Sequence, residues 1–116
     1  MKHILLVCLL SFAGGLYSQD NSETTLFAQC MLAIDSEQEM KELELSMRQH
    51  PNLKVVRLDY NTRRVFVLTR GLDQLNEAEF KSWFESYAEK VWCVQIGRHG
   101  VDEVHAYPFE GCGDKP

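Results

Sequence analysis

Apolar and polar positions in this chain fall into short blocks with two different periods. Residues 26–34 (LFAQCMLAI) form a continuous apolar run too short for an ordinary helix, which predicts a buried strand. In residues 35–50 (DSEQEMKELELSMRQH), Met40, Leu43 and Met47 recur at helical spacing, with Leu45 on the flank. Acids gather early in this run and Arg48 comes late, as the helix dipole favours; Pro51 then stops the helix. Residues 53–60 and 64–69 alternate apolar and polar on either side of YNTR, predicting a hairpin with Asn61 and Thr62 at its turn. A second helix starts near Asn76, which with Glu79 can act as a capping pair. Phe80, Trp83, Phe84, Tyr87 and Val91 follow as an aromatic stripe at helical spacing, marking this helix as the anchor of the core. Residues 92–96 read as a strand and GRHG as a turn. VDEVHAY is a candidate short fifth strand before the tail PFEGCGDKP.

The predicted order is therefore strand, helix, strand, strand, helix, strand. Strands joined through helices favour right-handed crossovers, and two such units interleave into a four-stranded antiparallel sheet with both helices on one face. This is the α+β, ferredoxin-like βαββαβ sandwich, with its other sheet face open. On the first strand Ala28, Cys30, Leu32 and Ile34 share a face opposite Gln29; on the last, Trp92, Val94 and Ile96 share a face opposite Cys93 and Gln95. If the glutamines mark the open side, Cys30 lies in the core and Cys93 on the open face. A tail that folds back brings Cys112 to Cys93, so a Cys93–Cys112 disulfide is expected, with Cys30 left as a small buried hydrophobe.

The start of the chain reads differently. Lys2 precedes an apolar run from Ile4 to Leu16, followed by small and polar residues, the layout of a secretory signal peptide cut after Ser18. A spanning helix would need about 20 apolar residues. Cys8 lies inside that run, with no room ahead of it for the signal that a lipoprotein cysteine requires. The expected organisation is residues 1–18 signal peptide, 19–25 flexible lead-in, 26–107 domain and 108–116 tail. The layout is of bacterial type and implies the periplasm or the exterior, where Cys30, Cys93 and Cys112 permit one disulfide. The mature chain would carry eleven basic and seventeen acidic residues, a net charge of −6. That balance disfavours nucleic acid and anionic lipid as partners, and no second apolar stretch is long enough to span a membrane.

Residues 33–67 resemble the heavy-metal-associated domain, the module of copper chaperones and metal-pumping ATPases. The likeness is carried by the loop IDSEQEM, the amphipathic helix, HPNL where that family has a Pro-Gly turn, and VVRLDYNTRRVFV. Leu53, Val56, Leu58, Val65 and Val67 fall where the family places core residues, and the likeness needs no gap. The family's metal loop reads Met-x-Cys-x-x-Cys, whereas Ile34, Ser36 and Glu39 stand at the corresponding positions here. The resemblance thus implies the ferredoxin-like fold without the thiolate pair that holds a soft metal ion. Ser36 and Glu39 suit a capping box instead, an N-terminal helix device in which the cap contributes about 1 kcal/mol. No metal or cofactor is expected at this loop.

His99, Asp102, Glu103, His105 and Cys112 form a loose group with metal-ligand chemistry, but no tight Cys/His pairing accompanies it, and a solvated hairpin is the better reading. His50, at the end of a helix, is expected to complement its dipole. Neither a serine elbow, a Gly-rich phosphate loop nor a helix-borne His pair is present, so no catalysis is expected. Arg63 and Arg64 flank the hairpin turn and Arg57 lies along the open sheet face; Tyr107 and Phe109 either cover that face or contact a partner. The expected function is an exported, non-catalytic interaction or accessory module for another envelope or secreted protein, with Arg57, Arg63, Arg64, Tyr107 and Phe109 as its candidate surface. The alternative is a periplasmic heavy-metal-binding protein with relocated ligands, His99, His105 and Cys112.

Overall fold

A computed structural model describes residues 25–116. The expected signal peptide and residues 19–24 of the lead-in lie outside the described residues. Strand β1 (Leu26–Leu32) is buried on both faces along nearly its whole length, which is why it reads as an apolar run broken only by Gln29. The sheet order β2-β3-β1-β4 places β1 in the middle, paired antiparallel to β3 (Arg64–Thr69) on one side and to β4 (Val91–Arg98) on the other. Strand β2 (Leu53–Asp59) pairs antiparallel with β3 and forms one edge. This is the ferredoxin-like α+β arrangement: β3 lies between β1 and β2, the two strands that the first helix connects.

Helix α1 (Glu37–Met47) buries Met40, Leu43 and Met47. Helix α2 (Glu77–Ser82) buries Phe80 and is followed at once by the buried Trp83 and Phe84. All six side chains join Ala28, Cys30, Leu32, Val56, Val65 and Val67 in one cluster, so both helices lie on the same face of the sheet. Phe80 meets Trp83 and Phe84 edge-on at 6.2 and 5.1 Å between ring centroids. Asp59 organises the hairpin turn, its carboxylate accepting from the Asn61 amide at 3.1 Å and the Thr62 hydroxyl at 2.8 Å. At the end of α1, His50 Nδ1 accepts from the Asn52 amide at 3.1 Å and so helps to shape the turn into β2.

Three expectations about local structure are corrected. The aromatic stripe does not continue as one helix: α2 ends at Ser82, Glu85 takes a left-handed φ of 54°, and a 3₁₀ segment (Glu85–Lys90) leads into β4. Val91, the last residue of the stripe, is a strand residue paired with Leu32, and that pairing requires the chain to turn back to the sheet before it. Trp92 does not share a face with Val94 and Ile96. A bulge at Cys93 (φ 58°) sets two residues against Cys30, so Trp92 pairs with Met31 on the side away from the helices. Finally, residues 101–107 form no fifth strand, because their polar backbone groups bond to glutamine side chains on the sheet instead of to a strand edge. Among the described residues no helix is long and apolar enough to cross a membrane.

Candidate functional site

The chain reverses after Arg98, where the amide of Arg98 donates to Asp102 Oδ2 at 2.7 Å and the Asp102 amide donates to the Arg98 carbonyl at 2.9 Å. Residues 102–112 then run back over the open sheet face as a strap. Gln29 and Gln95, paired across β1 and β4, hold it: Gln29 Nε2 donates to Gln95 Oε1 at 2.7 Å and to the His105 carbonyl at 2.9 Å. The His105 amide donates back to Gln95 Oε1 at 2.9 Å, and Gln95 Nε2 donates to the Glu103 carbonyl at 2.8 Å. A Cys93–Cys112 disulfide, with its Cα atoms 5.0 Å apart, fastens the far end.

Under this cover Phe27 and Gln29, open-face residues by alternation, are fully buried. Gly97 is part of the same closure. A Cβ there would stand 2.9 Å from the Phe27 ring, so only glycine lets that ring lie across β4. A cavity of about 310 Å³ remains between strap and sheet, bordered by Gln29, Gln95, Phe109 and the disulfide; among the described residues Gln29 Oε1 is a buried acceptor without a partner.

The strap covers the β1–β4 half of the face and leaves the β2–β3 half open. There Arg57 pairs across the strands with Phe66, and Asp59 with Arg64. These four residues line a hollow of about 230 Å³. The Arg64 guanidinium sits 6.0 Å from the ring of Tyr107, which is 41 % exposed and meets Phe109 edge-on at 5.9 Å. The structure therefore gathers Arg57, Arg64 and Tyr107 at the strap's rim, with Phe109 behind Tyr107 against the disulfide. Phe66 belongs to this group and was not singled out from the sequence, although its alternation with Val65 and Val67 places it on this face.

Arg63 is not part of that surface. Its left-handed backbone (φ 62°) accompanies a side chain committed to the loop before α1. The Arg63 Nε donates to the Ile34 carbonyl at 2.7 Å, the guanidinium donates to the Tyr60 carbonyl and stacks on the Tyr60 ring at 3.7 Å, and it pairs with Asp35 at 3.5 Å. Arg63 thus ties the hairpin to the loop before α1.

In that loop Ser36 is the N-cap of α1, its Oγ accepting from the Glu39 amide at 3.2 Å. The reciprocal half of the expected capping box is not seen, because the Glu39 carboxylate accepts from the Tyr87 hydroxyl at 3.1 Å instead. Desolvation, that hydrogen bond and the neighbouring acids hold the Tyr87 hydroxyl above its ordinary pKa. The alternative metal set is not assembled either: Cys112 is in the disulfide, and among the described residues no three His, Cys, Asp or Glu side chains gather into a group fit for an ion. Burial pushes the Cys30 thiol well above the ordinary range. Compared with known proteins, the chain matches no family model, no curated protein and no solved structure.

Proposed function

We propose that this chain is an exported, non-catalytic interaction or accessory module on a heavy-metal-associated-like frame, acting on another protein of the cell envelope or exterior through the uncovered half of its sheet face. The observation that carries the reading is the patch of Arg57, Arg64, Phe66 and Tyr107, where two guanidinium groups border exposed aromatic surface. Arginine and aromatic side chains are the residue types that supply most of the binding energy in protein interfaces. The disulfide across the strap is in keeping with an oxidising compartment. A cationic, aromatic patch on an acidic chain selects a partner whose contact surface is apolar with an acidic rim.

Capture from envelope extracts with the mature protein tests this. A partner retained by the wild type and by the distant variant Lys81→Glu is expected to be lost with Arg64→Glu and with Phe66→Ser. A partner captured equally well by all four proteins would overturn the reading. Calorimetric titration of the reduced protein with Cu(I), Zn(II) and Ni(II) supplies the complementary check, and tight stoichiometric binding abolished by His99→Ala would favour metal binding instead.

A further inference from the structure

A second surface lies around the edge of the sheet from that patch. Between the end of α1 and β2 runs a groove of about 540 Å³ with Arg48, Lys54, Arg57 and Arg70 along its walls and Leu53 and Val55 among its apolar lining residues. Among the described residues no Asp or Glu lines it. In a chain with more acids than bases, three unpaired cations beside the Arg48–Glu44 pair along one groove make a local reversal of charge. Arg48 pairs with Glu44 at 3.4 Å, whereas Lys54, Arg57 and Arg70 have no ion pair among the described residues.

We propose that this groove docks an extended, acidic segment of a partner polypeptide. The inference rests on the interaction reading above in that both need a protein partner, but its surface shares only Arg57 with the sheet-face patch. Three observations select this occupant. Lys54 and Arg57 lie three residues apart on β2, about 10 Å along a strand; Arg48 reaches the Val56 carbonyl between them, and Arg70 stands beside Asn52 at the start of the strand. The charges are therefore spread along the groove, which suits several carboxylates on one chain rather than one small anion.

The apolar residues between them suit the uncharged side chains that alternate with acids in an extended peptide. The overall acidity of the protein works against densely charged polyanions such as nucleic acid, which the groove cations do not offset.

The backbone of β2 decides how the segment is held. Although β2 is an edge strand, Arg48 donates to the Val56 carbonyl at 3.2 Å and Glu44 Oε2 accepts from the Leu58 amide at 2.9 Å. These two side chains occupy the hydrogen-bonding positions that an added strand would use, which closes this stretch of the edge to sheet extension. The segment is thus recognised by its carboxylates, and binding weakens as salt rises.

The test uses a labelled decapeptide of alternating Glu and Val on the mature, disulfide-bonded protein, followed by fluorescence polarisation. Expected are saturable binding that falls with salt, no binding of the Gln–Val counterpart, and at least roughly tenfold weaker binding by the Lys54→Glu/Arg70→Glu double variant. Both residues are exposed and unpaired among the described residues, and a thermal melt confirms that the variant remains folded. Phe66→Ser is expected to leave peptide binding unchanged.

Absence of binding by the wild type, or equal binding by the double variant, overturns the proposal. So does tighter binding of polyphosphate or of phosphatidylglycerol vesicles. If peptide binding is lost with Phe66→Ser yet kept by the double variant, the groove inference fails while the sheet-face reading stands.

Discussion

The helix side and the strap side of the sheet both bury strand side chains, a whole layer on the first and Phe27 and Gln29 on the second, but they do so by different means. On the helix side, apolar residues from all four strands and both helices interlock in one cluster. On the strap side, closure depends on a disulfide, hydrogen bonds from Gln29 and Gln95 to the strap backbone, and one ring laid over Gly97. The first kind of closure is non-directional and shared among many residues, so it stands or falls with the whole fold. The second is directional and local, the character of a segment able to open by itself. The comparison teaches that the strapped half of the sheet is the one held by few, removable contacts.

The strongest way to break the comparison is to remove Phe80, which is fully buried at the centre of the aromatic contacts under both helices. Phe80→Ala is expected to cost about 3–5 kcal/mol, read as a shift of the urea midpoint. Protection of strap and sheet amides against hydrogen exchange should fall together, because the strap has no platform once the sheet loses its core. A strap that kept its protection while the core lost its own would contradict the hierarchy.

The next effect is the disulfide. Cys93 and Cys112 are 19 residues apart, and in the chain-entropy account closing such a loop contributes roughly 3 kcal/mol. In Cys93→Ser/Cys112→Ser the His105 amide is expected to exchange by local opening, well ahead of β1 amides such as that of Cys30. If His105 in this variant still exchanges only with global unfolding, the strap is part of the core unit and the contrast between the faces disappears.

How much of this was legible in the sequence follows the same division. The helix side obeys periodicity, so Met40, Leu43, Met47, Phe80 and the alternation of β2 and β3 announced their elements and the α+β order. Cys30 and Cys93 could be assigned to opposite sides because Gln29 and Gln95 each interrupt an apolar strand, and the disulfide followed from that.

What could not be read were departures from regular backbone. The left-handed residues Glu85 and Cys93 end α2 early and insert the bulge that moves Trp92 to the other face, yet neither is a glycine that would signal such a turn. VDEVHAY reads as a short strand from the sequence, whereas its backbone is held by two glutamine side chains from distant strands, a partnership that no local pattern announces. Phe66, and the groove cations Arg48, Lys54, Arg57 and Arg70, come together only through the topology.

The smallest effect sharpens the comparison at a single point, the bulge where Cys30 and Cys93 lie back to back across β1 and β4. Cys93 is oxidised on the strap side; Cys30 is a buried free thiol on the helix side. Desolvation raises the Cys30 pKa well above the usual thiol value, with Lys81 pulling weakly in the other direction. The sign of the linkage follows from which state ionises first. Below the ordinary thiol pKa of about 8.5 both states keep the proton, and stability is independent of this group. As pH rises past that value the unfolded chain ionises Cys30 while the folded chain does not, so stability falls by up to about 1.4 kcal/mol per pH unit.

Tyr87 acts in the same direction at higher pH, but it is present in both proteins when wild type is compared with Cys30→Val, and its contribution cancels. Urea unfolding between about pH 8 and 10 is therefore expected to show a steeper loss for the wild type than for the variant. Ellman titration at pH 8 of protein prepared without residues 1–18, and so without Cys8, should find no reactive thiol in the native state and one after denaturation. Equal slopes, together with a thiol that reacts in the native state, would mean that solvent reaches Cys30, and the helix side would then be no more tightly closed than the strap side.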